Sequence, residues 1–184
     1  MNSIELMVNE HKYIKRMLKV IRNIGYRILK GEKINYSHFN EIIDFVRNYA
    51  DKHHHKKEEE VLFNRMVEEL GPTAEKIISF GMLIEHDLGR FYIGEIEKAL
   101  EKLKKGDDEA RLDIIANCVA YEGLLLRHIE KEDNAVYTFA SKNLSENTMS
   151  IINSECDNIE KIASKNNIQN KYILVLEKFE EIYL

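Results

Sequence analysis

Residues 110–139 read ARLDIIANCVAYEGLLLRHIEKEDNAVYTF. Taken at 3–4 spacing, Ile114, Cys118, Tyr121, Leu125, His128, Glu132, Ala135 and Phe139 fall on one side of a helix. The stretch is therefore a long amphipathic helix whose buried face carries a histidine and a carboxylate one turn apart. A carboxylate alone in an apolar core is costly, so this pair needs partners from elsewhere in the chain.

Three more segments repeat the pattern. Residues 3–30 place Ile4, Met7, His11, Ile14, Leu18, Ile21, Gly25 and Ile28 on one seam. Residues 37–70 give Ile42, Phe45, Tyr49, Lys52, His55, Glu59, Leu62 and Met66, with one irregular step at Lys52. Residues 74–105 give Met82, His86, Gly89, Ile93, Ile96, Leu100 and Leu103. Gly31, Gly71-Pro72 and Gly106 separate the segments, with Ser37 and Asp107-Asp108 as expected N-caps. Four long helices with short connections predict an all-α, antiparallel up-down-up-down four-helix bundle over residues 1–143. Two shorter helices in residues 144–184 follow, the first capped by Ser145 and the two parted by KNNIQN at 165–170. Their apolar faces, Ile151, Ile152, Cys156, Ile159 and Ile162, then Ile173, Leu176, Phe179 and Ile182, are expected to pack on the bundle; a dimerising face is the alternative, leaving monomer or homodimer open.

Composition agrees. The 184 residues are 44% hydrophobic with one proline and eight glycines, enough for a core and too few turn formers for an all-β fold. A formal charge of −5 argues against a nucleic-acid partner. No apolar run is long enough for a membrane span, and the start MNSIELMVNEHKYIK lacks the layout of a secretory signal, so a cytoplasmic location is expected. Cys118 and Cys156 form no CxxC pair and read as reduced, buried thiols.

Rise along the helices tests whether the polar seam residues meet. From the end shared by the starts of the first and third helices, His11 lies about 12 Å in, His86 about 18 Å, His55 and His128 about 22 Å, Glu59 and Glu132 about 16 Å. A metal cluster would satisfy all six together. Imidazole nitrogens with carboxylate bridges and no thiolate suit iron ahead of manganese or zinc. One register alternative stays open on the second helix, His54–Glu58 in place of His55–Glu59. Otherwise His53 and His54 are expected on outward or flanking faces, with KKEEE at 56–60 as solvated surface. His38, far from the layer, reads as structural. Tyr121 could approach the site, and Arg90 could pair with Glu85 or Glu122 or guard an entrance.

The segments NEHKYIK around His11, FVRNYADKHHHKKEEEVLF around His55 and Glu59, EHDLGRF around His86 and LLLRHIEKEDNAVY around His128 and Glu132 resemble the hemerythrin-like, HHE cation-binding proteins. The resemblance spans about residues 5–140. It implies a non-haem di-iron centre, two iron ions with His11 and His55 on one, His86 and His128 on the other, and Glu59 and Glu132 bridging. The oxygen carriers of that family have a fifth histidine one turn away on the third helix, where this chain has Met82 and Arg90. That departure leaves both irons an exchangeable position, filled by water, dioxygen, peroxide, nitric oxide or a side chain such as Glu85. Ferritin-like sites use Glu-x-x-His pairs, and none occurs here. The resemblance implies uptake of dioxygen or a related small oxidant for sensing, transfer or buffering. The alternatives are reduction of dioxygen or peroxide with electrons from a redox partner, since no nucleotide-binding glycine motif is present, and iron donation for iron-sulfur cluster repair. Two ferrous ions would bring the formal charge from −5 to about −1.

Overall fold

The computed structural model describes residues 2–184, and every element among them is helical, as expected for an all-α chain. Helix α1 (Ser3–Leu29) starts at Asn2, whose side chain accepts the backbone N–H of Glu5 at 2.9 Å while the Glu5 carboxylate accepts that of Asn2. This reciprocal cap satisfies donors that a helix start leaves without partners. Gly31, at φ +90°, turns the chain where a side chain would be strained. The run α2 (36–70) is capped by Asn35 and not by Ser37: the Asn35 side chain accepts from the backbone of His38 at 3.2 Å. Gly71 at φ +65° closes α2, and Pro72 opens α3 (72–104) at a position whose N–H has no helical partner to lose. Next come α4 (110–143), which no side chain caps at its start, α5 (Glu146–Lys165) and α6 (Ile168–Tyr183). Ser145 caps α5 by accepting from Thr148.

Three of the long runs contain wider turns. Val46–His55 and Lys57–Phe63 in α2, Ile78–Met82 in α3 and Glu132–Val136 in α4 are π-helical. A π turn bonds residue i to i+5 and so holds more residues than the 3.6 of an α turn. Side chains four apart therefore stay on one side over a longer run. In α2 this corrects the expected seam: Lys52 is exposed and Glu59 half-buried, whereas Ala50, His54, Glu58, Leu62 and Met66 are buried. In α4 the wider turn moves the register by one, so Val136 and Ala140 enter the core in place of the exposed Ala135 and half-buried Phe139.

Two apolar clusters form the core. One gathers Ile14, Leu18, Phe45, Tyr49, Ile93, Tyr121 and Leu125, among others; the other gathers Met7, Leu62, Phe63, Met66, Met82, Val136 and Tyr137. Along every long helix the seam histidines fall between residues of the two clusters, so the polar groups are sealed from both ends. The last two helices join both clusters: Tyr172, Leu176 and Phe179 pack with the first, Ile152 and Cys156 with the second. Ile151, Ile162 and Ile182 of their expected apolar faces are exposed. Cys118 and Cys156 are buried free thiols. His38 Nδ1 lies 2.7 Å from the Tyr183 hydroxyl, a structural contact that ties α2 to α6. No helix among the described residues is long and apolar enough to cross a membrane.

Candidate metal centre

Five histidines and two carboxylates meet between the apolar clusters. His11 comes from α1, His54, His55 and Glu58 from the π-helical part of α2, His86 from α3, and His128 and Glu132 from α4; all seven are buried. Donor atoms of His11, His54 and Glu58 lie within 4.8 Å of one another, as do those of His55, His86 and His128, and those of Glu58, His86 and Glu132. The carboxylates stand between the histidines. Glu58 Oε2 is 3.6 Å from His54 Nε2 and 3.5 Å from His86 Nε2. Glu132 Oε2 is 3.4 Å from His11 Nε2, while its Oε1 is 3.0 Å from His128 Nε2 and 3.8 Å from His86 Nε2.

Of the six residues expected from the sequence, five lie in this layer and Glu59 lies beside it. Its side chain is 27% exposed, and its carboxylate accepts from His86 Nδ1 at 2.6 Å. Glu58, fully buried, occupies the place expected for Glu59. Of the register alternative, Glu58 lies in the layer, and His54 and His55 both reach it. His53, His54, Lys57 and Glu58 are buried, which corrects the expectation of flanking histidines and a solvated KKEEE run. The wide turns of α2 account for this, because an α-helix spreads three consecutive residues over more than half of its circumference.

Behind each imidazole stands a carboxylate, and behind each carboxylate a cation. His11 Nδ1 is 2.7 Å from Asp133, itself 2.8 Å from Lys15. His54 Nδ1 is 2.8 Å from Glu10, which Lys57 contacts. His55 Nδ1 is 3.4 Å from Asp51, and His86 Nδ1 faces Glu59; Arg90 bonds both acids, at 2.6 and 2.7 Å. His128 Nδ1 is 2.9 Å from Glu85, which Lys131 contacts. A carboxylate that accepts Nδ1–H fixes the ring and leaves Nε2 with a lone pair, the arrangement that prepares histidine for a metal. Arg90 thus pairs with Asp51, Glu59 and, at 2.9 Å, Asp87; Glu85 is committed to Lys131, and Glu122 is 3.7 Å from Arg22.

The donor set fits a cation. His11 Nε2, His54 Nε2, Glu58 Oε2 and both oxygens of Glu132 are buried without hydrogen-bond partners. The Nε2 atoms of His86 and His128 face each other at 2.9 Å. Buried polar atoms are almost always paired, so a cluster this dense asks for a positive charge at its centre. Burial and the charge of Glu132 hold Glu58 well above the ordinary carboxylate range, as befits two buried acids side by side. Burial opposes charge on His11 and His86 as well, yet the adjoining carboxylates hold both above the usual imidazole range. Protons would therefore compete with a metal for those nitrogens.

Two tyrosines frame the layer. The Tyr137 ring stacks on His11 with centroids 5.7 Å apart, and its hydroxyl donates to Glu58. Tyr121 lines a cavity of about 120 Å³ with His55, His86, Gly89, Asp51 and Arg90. A Cβ on Gly89 would meet Leu125 at 3.3 Å and Tyr121 at 3.5 Å, so glycine keeps α3 close to α4 beside that cavity. Arg90 lines the same cavity and pairs with Asp51, Glu59 and Asp87 in place of the expected Glu85 or Glu122.

Residues 2–140 match a family described as the hemerythrin HHE cation binding domain. No curated protein and no solved structure matches the chain.

Proposed function

Because the chain belongs to the hemerythrin HHE cation-binding family, we propose that its central layer holds two iron ions and uses them to bind dioxygen or a related small oxidant. The observation that carries this reading is the set of buried, unpartnered nitrogens and oxygens of His11, His54, Glu58 and Glu132 facing one another in one layer. In this assignment His11 and His54 serve one ion, His55, His86 and His128 the other, and Glu58 and Glu132 are shared. Imidazoles and carboxylates without a thiolate are donors that suit iron. Iron in such a set supplies one-electron redox steps to dioxygen, nitric oxide or peroxide.

The fifth histidine missing from α3 is supplied by α2, where His54 and His55 both reach the layer. The two ions would then be served by unequal numbers of histidines. The outer carboxylates hold each imidazole in place, Tyr137 holds Glu58, and the apolar clusters exclude bulk water. The cavity of about 120 Å³ beside His55 and His86 leaves room for a small ligand on that side of the layer. Residues 1–143 form the di-iron unit as an antiparallel four-helix bundle in this reading, residues 144–184 pack upon it, and the setting is cytoplasmic.

Stopped-flow mixing of the anaerobically iron-loaded chain with air-saturated buffer tests the function. A visible absorption band that forms on mixing and bleaches on degassing is expected, with a corresponding change on nitric oxide. Continuous oxygen consumption with an added reductant would make the protein an oxidant-reducing enzyme instead. No spectral response to oxygen, nitric oxide or peroxide would overturn both readings.

A further inference from the structure

Of the cations behind the outer carboxylates, Lys57 differs from the rest. Lys15, Arg90 and Lys131 have side chains 39%, 38% and 51% exposed, while that of Lys57 is fully buried. An ammonium has three N–H donors. Three acceptors stand around this one: Glu10 Oε1, Glu160 Oε1 and His53 Nε2, the last at 3.2 Å. Donor atoms of Glu10, His53 and Glu160 alone lie close enough to hold a metal ion, and the lysine supplies the positive charge in their midst.

This cluster leads to the layer. The second oxygen of Glu10 accepts from His54 Nδ1 at 2.8 Å, and His54 Nε2 faces Glu58. Glu160 lies on α5, outside the four long helices, and its other oxygen accepts from Gln169 of α6. A continuous path therefore runs from the last two helices through Glu160, Lys57 and Glu10 to one imidazole.

We propose that Lys57 is a positioning residue for His54 and that Glu160 of the last two helices holds it in place, so that residues 144–184 complete the metal site as well as covering it. This rests on the di-iron reading. An acid whose cation is buried and clamped cannot swing into solvent, so Glu10 holds the His54 ring more rigidly than the solvent-facing pairs hold theirs.

The test uses the full chain with Lys57→Met and Glu160→Gln, titrated anaerobically with ferrous iron. Changes to groups that support a metal ligand cost about 10–100-fold in affinity. Lys57→Met is expected to weaken one of two bound irons by about that factor and leave the other unchanged, and Glu160→Gln to act in the same direction more weakly. In the loaded protein, the metal-shifted imidazole N–H resonance of His54 should move in both variants while those of His86 and His128 stay. Should Lys57→Met not fold to wild-type helical content, Glu160→Gln, at a partly exposed position, decides the matter. Two irons at wild-type affinity in Glu160→Gln with an unmoved His54 resonance would overturn the inference and leave the di-iron reading standing. A wild-type chain that binds no iron would overturn both.

Discussion

Glu58→Ala protein is expected to retain at most one tightly bound iron per chain, while Glu59→Ala protein retains two. Glu58 is the buried carboxylate between His54 and His86, within reach of donors on both sides of the layer. Removing it takes an oxygen from each set at once and leaves the Tyr137 hydroxyl without its acceptor. Glu59 acts from outside, through His86 Nδ1 and Arg90, so its loss costs affinity, by about 10–100-fold at one ion, without removing a donor. Metal analysis after gel filtration at micromolar protein distinguishes the two variants. The reverse pattern, with iron lost in Glu59→Ala and kept in Glu58→Ala, would restore the register read at strict α-helical spacing.

Removal of iron is expected to lower the melting temperature by about 8–16 °C for each ion bound at a thousand times its dissociation constant. A ligand at that excess adds about 4 kcal/mol to the folded state. In a domain of this size each kcal/mol moves the midpoint by about 2–4 °C. Physically, the metal-free layer leaves two buried carboxylates and several imidazole nitrogens without partners, which the folded state alone must bear. The effect should shrink as pH falls, because protons occupy the His11 and His86 nitrogens that the metal needs, and iron binding should tighten as pH rises. Calorimetry of loaded and chelator-stripped protein at two pH values measures both effects. Equal midpoints in the two forms would mean that no ion is bound to the folded layer.

The helices and most of the layer were legible because seams in α1 and α3 keep ordinary α spacing through His11 and His86. The second helix was harder to read. Its π turns align residues four apart, so Val46, Ala50, His54, Glu58, Leu62 and Met66 form the buried line. That spacing of four was present in the sequence, but the 3–4 template led through Lys52 to Glu59, with the irregular step and the open His54–Glu58 register as its warnings. Lys57 was hidden for another reason. A lysine inside a run of charges reads as surface, and only Glu10 and Glu160, 47 and 103 residues away, make its burial affordable. The carboxylates behind the histidines come from neighbouring helices, except for Asp51, which stands one turn before His55 on its own helix; such cross-helix pairs leave no periodic signal in a single segment.

The most direct measurement is an anaerobic titration of the full chain with ferrous iron, read as metal bound per chain and by X-ray absorption at the iron edge. Two tightly held irons with imidazole nitrogen in their shell, and loss of that metal in Glu132→Ala, are the predicted result. Saturation below two irons, or a Glu132→Ala chain that still holds both, would contradict a di-iron centre built on this layer.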